Sequence, residues 1–247
     1  VAGYSYQDWD TYSPNNPTWN EAQDSIIAPE AAFPFYTRNV LMSYYGRAIY
    51  NYSGKYVVNV SVRRDGSSRF SPDTRWGIFP AASAAWLISE EDFLKNSKSI
   101  NMLKLRAGWG ITGQQDGIGD YAYIGNYFQG ATTAQYAFGG QYYQVLRPAG
   151  FDANLKWETT TSYNLGLDFG FKNDRFSGSV DVYQKDTRDL LATVPVPAGT
   201  NFTNEILTNV GAMQNRGIEV SVNTGLIEKK DMRLDWTVNG TYNVNTV

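Results

Sequence analysis

Four carboxylates, Asp168, Asp181, Glu219 and Asp235, share one parity of an alternating pattern in the second half of the chain. Two such groups about 5 to 9 Å apart can hydrolyse a glycoside, one as acid and the other as base or nucleophile. Nothing in their spacing singles out a pair, and Arg47, Arg63, Lys104 and Arg106 lie on the same parity, so solvated, mutually compensating charges are the better reading. The run Gly108-Trp109-Gly110-Ile111-Thr112-Gly113 fits the G-x-G-x-x-G fingerprint of dinucleotide sites, but that motif needs a following helix to receive the pyrophosphate. Gln114 to Gly119 is no such helix, and glycines on one side of a strand account for the run. Asp116-Gly117-Ile118-Gly119-Asp120 offers oxygen ligands without the spacing of a calcium-binding EF-hand loop. The chain contains no histidine and no cysteine, which removes Ser-His-Asp and Cys-His catalysis, the usual zinc sites and any disulfide framework. The residues therefore predict a chain without catalytic turnover, cofactor or metal.

One further group of side chains is suited to recognition. Residues 112–156 hold Tyr121, Tyr123, Tyr127, Phe128, Tyr136, Phe138, Tyr142 and Tyr143. Such rings stack on sugar faces or anchor a protein partner, because they bury much area for few lost rotamers. They serve equally well to pack a loop against itself and its rim, and the sequence leaves both open.

The elements that must position these residues alternate with period two. Met42, Tyr44, Gly46, Ala48, Tyr50 and Tyr52 oppose Ser43, Arg47 and Asn51, and Tyr56, Val58, Val60 and Val62 oppose Asn59, Ser61 and Arg63 across the tight turn 53–55. The pattern resumes from Trp76 to Ile88 and from Leu103 to Ile111. It is cleanest where Trp157, Thr159, Thr161, Tyr163, Leu165, Leu167, Phe169 and Phe171 oppose Asn164, Gly166 and Asp168. Phe176 to Val182, Ile218 to Leu226 and Leu234 to Tyr242 complete about eight strands, most near the length that crosses a bilayer at a steep tilt. Pro80 lacks a ladder donor and marks a weakness in its strand. Essentially no charge falls on the apolar parity of these runs, and the polar parity carries Arg47, Arg63, Arg106, Asp168, Asp181, Glu219 and Asp235.

Composition agrees. Aromatic residues make up 15% of the chain and charged residues only 18%, below the roughly 25% of ordinary soluble domains. A net charge of −3 offers no field for nucleic acid. The mean hydropathy of −0.41 and the absence of any long apolar run exclude a spanning helix but not a barrel, whose strands alternate. No signal peptide opens the chain, which reads as an internal fragment.

Connections also alternate in length: 53–55, 172–175 and 228–232 are short, and 64–75, 112–156 and 186–209 are longer. Outer-membrane barrels keep short turns at the periplasmic edge and long loops outside. The connection 89–102 breaks the rhythm; Ser89-Glu90-Glu91-Asp92 resembles a capping box with Asp in place of Glu and predicts a small periplasmic helix. The predicted fold is thus an all-β, antiparallel transmembrane β-barrel segment with long extracellular loops. Val220, Val222, Leu165 and Leu167 are expected to face lipid and the charged parity the lumen. Residues 1–40 are read as an outer strand end and extracellular loop, and 41–247 as barrel strands and loops. A soluble carbohydrate-binding β-sandwich is the alternative, with its apolar parity buried between sheets.

The ordered motifs resemble a family. Tyr44-Tyr45-Gly46-Arg47, Val62-Arg63-Arg64-Asp65-Gly66-Ser67-Ser68-Arg69-Phe70, Arg75-Trp76-Gly77-Ile78-Phe79-Pro80 and Trp86-Leu87-Ile88-Ser89-Glu90-Glu91 open the series. Leu103-Lys104-Leu105-Arg106-Ala107, Gly113-Gln114-Gln115, Leu155-Lys156-Trp157-Glu158-Thr159-Thr160 and Asn215-Arg216-Gly217-Ile218-Glu219 continue it. In order and spacing they are similar to the SusC-like (SusC/RagA) TonB-dependent transporters of the bacterial outer membrane, in the C-terminal part of the barrel. The resemblance implies a 22-stranded barrel with an N-terminal plug, a SusD-like surface lipoprotein acting as lid, and import of oligosaccharides or peptides energised through TonB, which contacts a region absent from this chain. A passive porin would differ only in lacking the plug.

Overall fold

The computed structural model describes residues 1–13, 18–23, 25–28, 35–131, 133–229 and 231–247. Nine strands form one antiparallel sheet in sequence order. They are β1 (Ala2–Ser13), β2 (Phe35–Tyr52), β3 (Tyr56–Ser67), β4 (Trp76–Leu87), β5 (Ile100–Gln114), β6 (Glu158–Phe171), β7 (Phe176–Arg188), β8 (Ala212–Lys229) and β9 (Met232–Thr246). Each of the eight alternating runs is a strand; the additional one, β1, pairs along its length with Phe35 to Gly46 of β2. No second sheet of comparable size covers the apolar face among the described residues, which removes the sandwich.

Register carries the parity across the sheet. One row runs Tyr50, Val58, Ala84, Ala107, Leu165, Val182, Ile218, Tyr242, entirely apolar or aromatic. The next row, on the other face, runs Asn51, Val57, Ala85, Arg106, Gly166, Asp181, Glu219, Thr241. A one-residue slip of any strand would exchange its faces.

Apart from 88–99, between β4 and β5, the connections at one edge are short. Residues 53–55 close β2 on β3 with Ser53 and Gly54 at φ of 54° and 70° and Lys55 N–H donating to the Tyr52 carbonyl at 3.0 Å, the two-residue, left-handed turn that matches strand twist. Residues 172–175 and the facing ends of β8 and β9, Lys229 and Met232, lie at the same edge, and the ends of β1 and β2, Ser13 and Phe35, lie at the other with the connections 68–75 and 189–211.

The expected helix after β4 shrinks to a single 3-10 turn, Ile88–Glu90. Ser89 lies inside that turn and does not cap it, and no side chain caps its start; Asp92 pairs instead with Lys95 at 2.6 Å. Glu91 organises the connection, accepting the Tyr56 hydroxyl at 2.5 Å, the Trp86 indole N–H at 3.0 Å and the Lys55 ammonium at 3.2 Å. These donors, the Tyr56 hydroxyl foremost, hold its carboxyl below the usual carboxylate range. The tie is therefore complete above the unfolded pKa of about 4.3 and is lost as pH falls through the lower folded value. Hydrogen exchange in residues 91–98 should rise on that acid limb beyond the intrinsic rate, and Glu91→Gln should show the raised exchange already at neutral pH. A flat acid profile in the wild type would refute the assignment.

Candidate functional site at the long-loop edge

The polar face carries the charges expected of it, and the structure pairs most of them. Arg106 grips Asp168 with two bonds, of 2.8 and 2.7 Å, and reaches across β6 to Asp181 at 3.0 Å; Lys104 adds a 3.6 Å contact to Asp168. The reach works because Gly166 stands between Arg106 and Asp181 in the register. A β-carbon there would come 2.7 Å from the Arg106 guanidinium and would also strike Asp181. Arg63 pairs with Asp65 at 2.7 Å and donates to Ser43 at 2.8 Å, and Arg47 donates to Asn59 at 2.7 Å. Asp235 pairs with Arg233 at 2.7 Å, and Glu219 faces Asp181 in the register. Asp168 and Asp181 thus share one guanidinium, with the Lys104 ammonium also beside Asp168, so both carboxylates are held in ion pairs.

This bridge makes a testable expectation. A double-mutant cycle between Arg106→Gln and Asp181→Asn should give a coupling of about 0.5–1 kcal/mol, the range of partly solvated pairs. The same cycle on a Gly166→Ala background should fall to near zero. Persistent coupling there would mean that the ion pair does not pass over residue 166.

Nearer the long loops, the polar face forms a trough of ≈ 850 Å³ lined by Thr112, Gln114, Thr160, Ser162, Lys185 and Asn215, among others. The Thr160 and Thr187 hydroxyls lie 2.8 Å apart in its wall. Sequence reading missed this surface, although the Thr-Thr-Thr-Ser run 159–162 placed hydroxyls at the mouth of β6.

Above the trough, the stretch read as a long loop contains a hairpin. Tyr127–Gln129 pairs with Leu146–Pro148, and Gln135–Phe138 with Gln141–Gln144. Gly139 and Gly140 close it at φ of 61° and 78°, conformations that favour glycine; the Gly-Gly pair between alternating residues was the available signal. The aromatic set divides. Tyr121 accepts the Arg38 N–H at 3.3 Å at the loop's base, and Tyr123 is half-buried there. Tyr127 packs on Phe202 of the neighbouring loop with ring centroids 6.3 Å apart. Tyr136, Phe138, Tyr142 and Tyr143 project from the hairpin, with Phe138 69% and Tyr142 74% exposed. The Phe128 side chain lies outside the described residues.

The loops are anchored by a cluster that alternation alone did not reveal. Pairing of β4 with β5 begins at Ala81 and Gly110, beside Pro80, as its missing N–H led us to expect. Where the ladder has ended, Phe70, Phe79, Ile118, Leu155 and Trp157 form a buried cluster. Trp157 lies 5.0 Å from the Phe70 ring and 5.4 Å from that of Phe79. Gly77 and Gly113 leave room for the Phe79 ring. Hydrogen bonds from Trp157 Nε1 to the Arg75 carbonyl (2.9 Å) and from Thr74 Oγ1 to the Leu155 carbonyl (2.6 Å) tie the 68–75 connection to the long loop. Asp120, in the stretch weighed as a calcium loop, is paired with Arg69 at 3.2 Å.

Residues 1–246 match the family described as TonB dependent receptor-like, beta-barrel. The chain belongs to that family. It is 45% identical over 98% of its length to the TonB-dependent receptor SusC of Bacteroides thetaiotaomicron, and 38% identical over 99% to TonB-dependent receptor P39 of Formosa agariphila. It spans 23% of each of those relatives. A chain of the RagAB peptide transporter shares the fold, with a TM-score of 0.82 over 99% of this chain and 27% of its own, at 24% identity. The SusC-like resemblance is therefore confirmed, and the family is one of outer-membrane transporters, not an enzyme class. Of the motifs that carried the resemblance, Phe70, Phe79, Leu155 and Trp157 supply the cluster beneath the loops.

Proposed function

We propose that the chain is a section of the wall of an outer-membrane importer of oligosaccharides or peptides, energised through TonB and capped by a SusD-like surface lipoprotein. The observation that carries the reading is a pair of aromatic belts on the apolar face. At the short-turn edge Tyr50, Tyr52, Tyr56 and Trp86 pack ring against ring in sequence, as do Phe169, Phe171 and Phe176. Toward the long loops, Tyr4, Tyr44 and Trp76 form the second belt. From Tyr52 to Tyr44, and from Phe171 to Tyr163, is eight residues, or roughly 26 Å of strand. Between the belts this face carries no charge among the described residues. Beyond the second belt charge returns: Arg38 pairs with Asp8 at 2.6 Å and approaches Asp10 at 3.7 Å. An apolar band bounded by rings suits a bilayer, with the short turns in the periplasm, the long loops outside and the charged face toward the lumen.

In this reading the nine strands belong to a 22-stranded barrel with β1 as an outer strand end, and much of the external loop read before residue 40 lies outside the described residues. The exposed rings Tyr136, Phe138, Tyr142 and Tyr143 meet substrate or the lipoprotein lid, and the hydroxyl-lined trough below them receives the cargo.

Two measurements test this. A cysteine at Ala137, exposed on the hairpin, should react with an impermeant maleimide in intact cells; Gly130 is unsuitable because a β-carbon there meets the Val145 carbonyl at 2.9 Å. Reaction only after permeabilisation would invert every strand. Cells expressing the full-length protein should accumulate labelled oligosaccharides or peptides, and collapse of the proton gradient should abolish accumulation. Uptake that survives the collapse would favour a passive porin.

A further inference from the structure

The upper edge of the apolar band is marked by two arginines as well as by rings. Arg64 lies eight residues from Tyr56 along β3, and Arg216 eight residues from Thr224 along β8. Tyr56 belongs to the lower belt, and Thr224 sits opposite Phe176, a member of that belt. Both arginines share the outward parity, Arg64 with Val62, Val60 and Val58 below it, Arg216 with Ile218, Val220 and Val222. They therefore stand at the same height, five strands apart, at the boundary where the apolar face ends.

Neither has a carboxylate partner among the described residues. Arg64 is exposed and lies with its guanidinium 4.5 Å from the centre of the Trp76 ring, which itself stacks on Tyr44 at 6.2 Å. Its register neighbours are Tyr44 and Ile78. Arg216, also exposed, sits between Gln184 and Val244. The carboxylate one step above, Asp186, accepts the amides of Gln184 and Gln214, both at 2.8 Å. By contrast Arg38, higher on the same face, is satisfied by Asp8.

Resting on the reading of this face as lipid-facing, we propose that Arg64 and Arg216 bind the phosphate groups of anionic lipid headgroups in the leaflet on the long-loop side. Arg64, with valines below it and the Trp76 plane beneath its guanidinium, presents its forked donors outward, and Arg216 stands above the same kind of apolar surface, Ile218, Val220 and Val222. That fork matches the oxygens of a phosphate and is less strongly hydrated than an ammonium. A headgroup phosphate is the anion that reaches this height while its acyl chains cover the valines below.

The test uses the full-length protein purified in detergent and three probes: a bis-phosphorylated lipid A, the same lipid stripped of phosphate, and sodium phosphate. Native mass spectrometry should show the phosphorylated lipid retained and the stripped lipid retained roughly tenfold less. Arg64→Gln and Arg216→Gln should each lower retention about threefold to tenfold, and the pair more. Arg175→Gln, at the opposite edge, should change nothing. Folding is checked by heat-modifiable gel mobility, and either single variant is decisive if the pair fails to assemble. Equal retention of both lipids, or retention unchanged in the folded variants, overturns the proposal while leaving the membrane reading intact. Displacement of the lipid by millimolar sodium phosphate also overturns it, since the site would then take free phosphate. Failure to retain any lipid would overturn the membrane reading itself.

Discussion

Arginine at Val220 should destabilise the folded barrel by roughly 2–4 kcal/mol, the cost of a cation at the bilayer midplane. The position is fixed by register. Val220 lies midway between Thr224, at the level of the lower belt, and Arg216, at the upper boundary, and pairs with Val180 on β7 and Gly240 on β9. All three point away from the charged face, so an arginine there meets hydrocarbon with no carboxylate in reach, and the middle of the band is the longest distance from either interface for the side chain to escape. Its neighbour Ser221 points the other way, opposite Ser179 and Asn239, where Ser221→Asn should be nearly neutral. Reversible folding of the full-length protein into bilayers measures both, and equal costs would disprove the parity of β8. Arg216 belongs to the same strand and the same face, so the contrast between a native arginine at the edge and an introduced one at the centre tests depth alone.

Phe70→Ala should cost about 3–5 kcal/mol, the range for emptying a buried aromatic site, and the loss should be local. Phe70 is fully buried, 0% exposed, between the 68–75 connection and Trp157, and the barrel ladder does not run through it. The expected signature is a roughly hundred- to thousandfold drop in hydrogen-exchange protection of the Arg75 and Leu155 amides, which donate to the Ser71 and Asp152 carbonyls at 3.0 and 3.3 Å. Protection in the middle of β6 and β7 should be unchanged. Phe138→Ala at the exposed hairpin should leave protection alone and weaken binding of partner or substrate. A uniform loss of protection across the strands in the Phe70 variant would show that the cluster supports the barrel and not its loops.

How far such residues could be foreseen depends on the range of the interaction that places them. The parity of Leu165, Leu167, Val220 and Val222, the Ser53-Gly54 turn and the interruption at Pro80 were legible because each depends on backbone chemistry within a few residues. The charge-free reading of the apolar parity held only within the strands as they were drawn; their true ends extend to Ser67 on β3, to Arg188 on β7 and back to Ala212 on β8 and bring Arg64, Asp186, Arg188 and Arg216 onto the same face. The helix read from Ser89 to Asp92 failed for a related reason. A capping box is a local preference, and Glu91 is instead drawn to donors on the 53–55 turn, β3 and β4.

The sequence by itself determined the architecture: period-two alternation fixes the face each side chain takes within its strand, and the turn and loop residues between the alternating runs fix where the strands reverse. Only the tertiary structure decided what meets across strands. Whether Arg106 bridges to Asp181 depends on Gly166 arriving between them, and whether Phe70 finds Trp157 depends on two loops converging on the gap beside Pro80. Whether Arg64 and Arg216 share one height depends on how far each strand is shifted against the next. Alternation has period two and repeats unchanged along a strand, so it specifies a residue's face and leaves its height free. Height is set by hydrogen-bond register and by packing at the strand ends, which are properties of the assembled sheet.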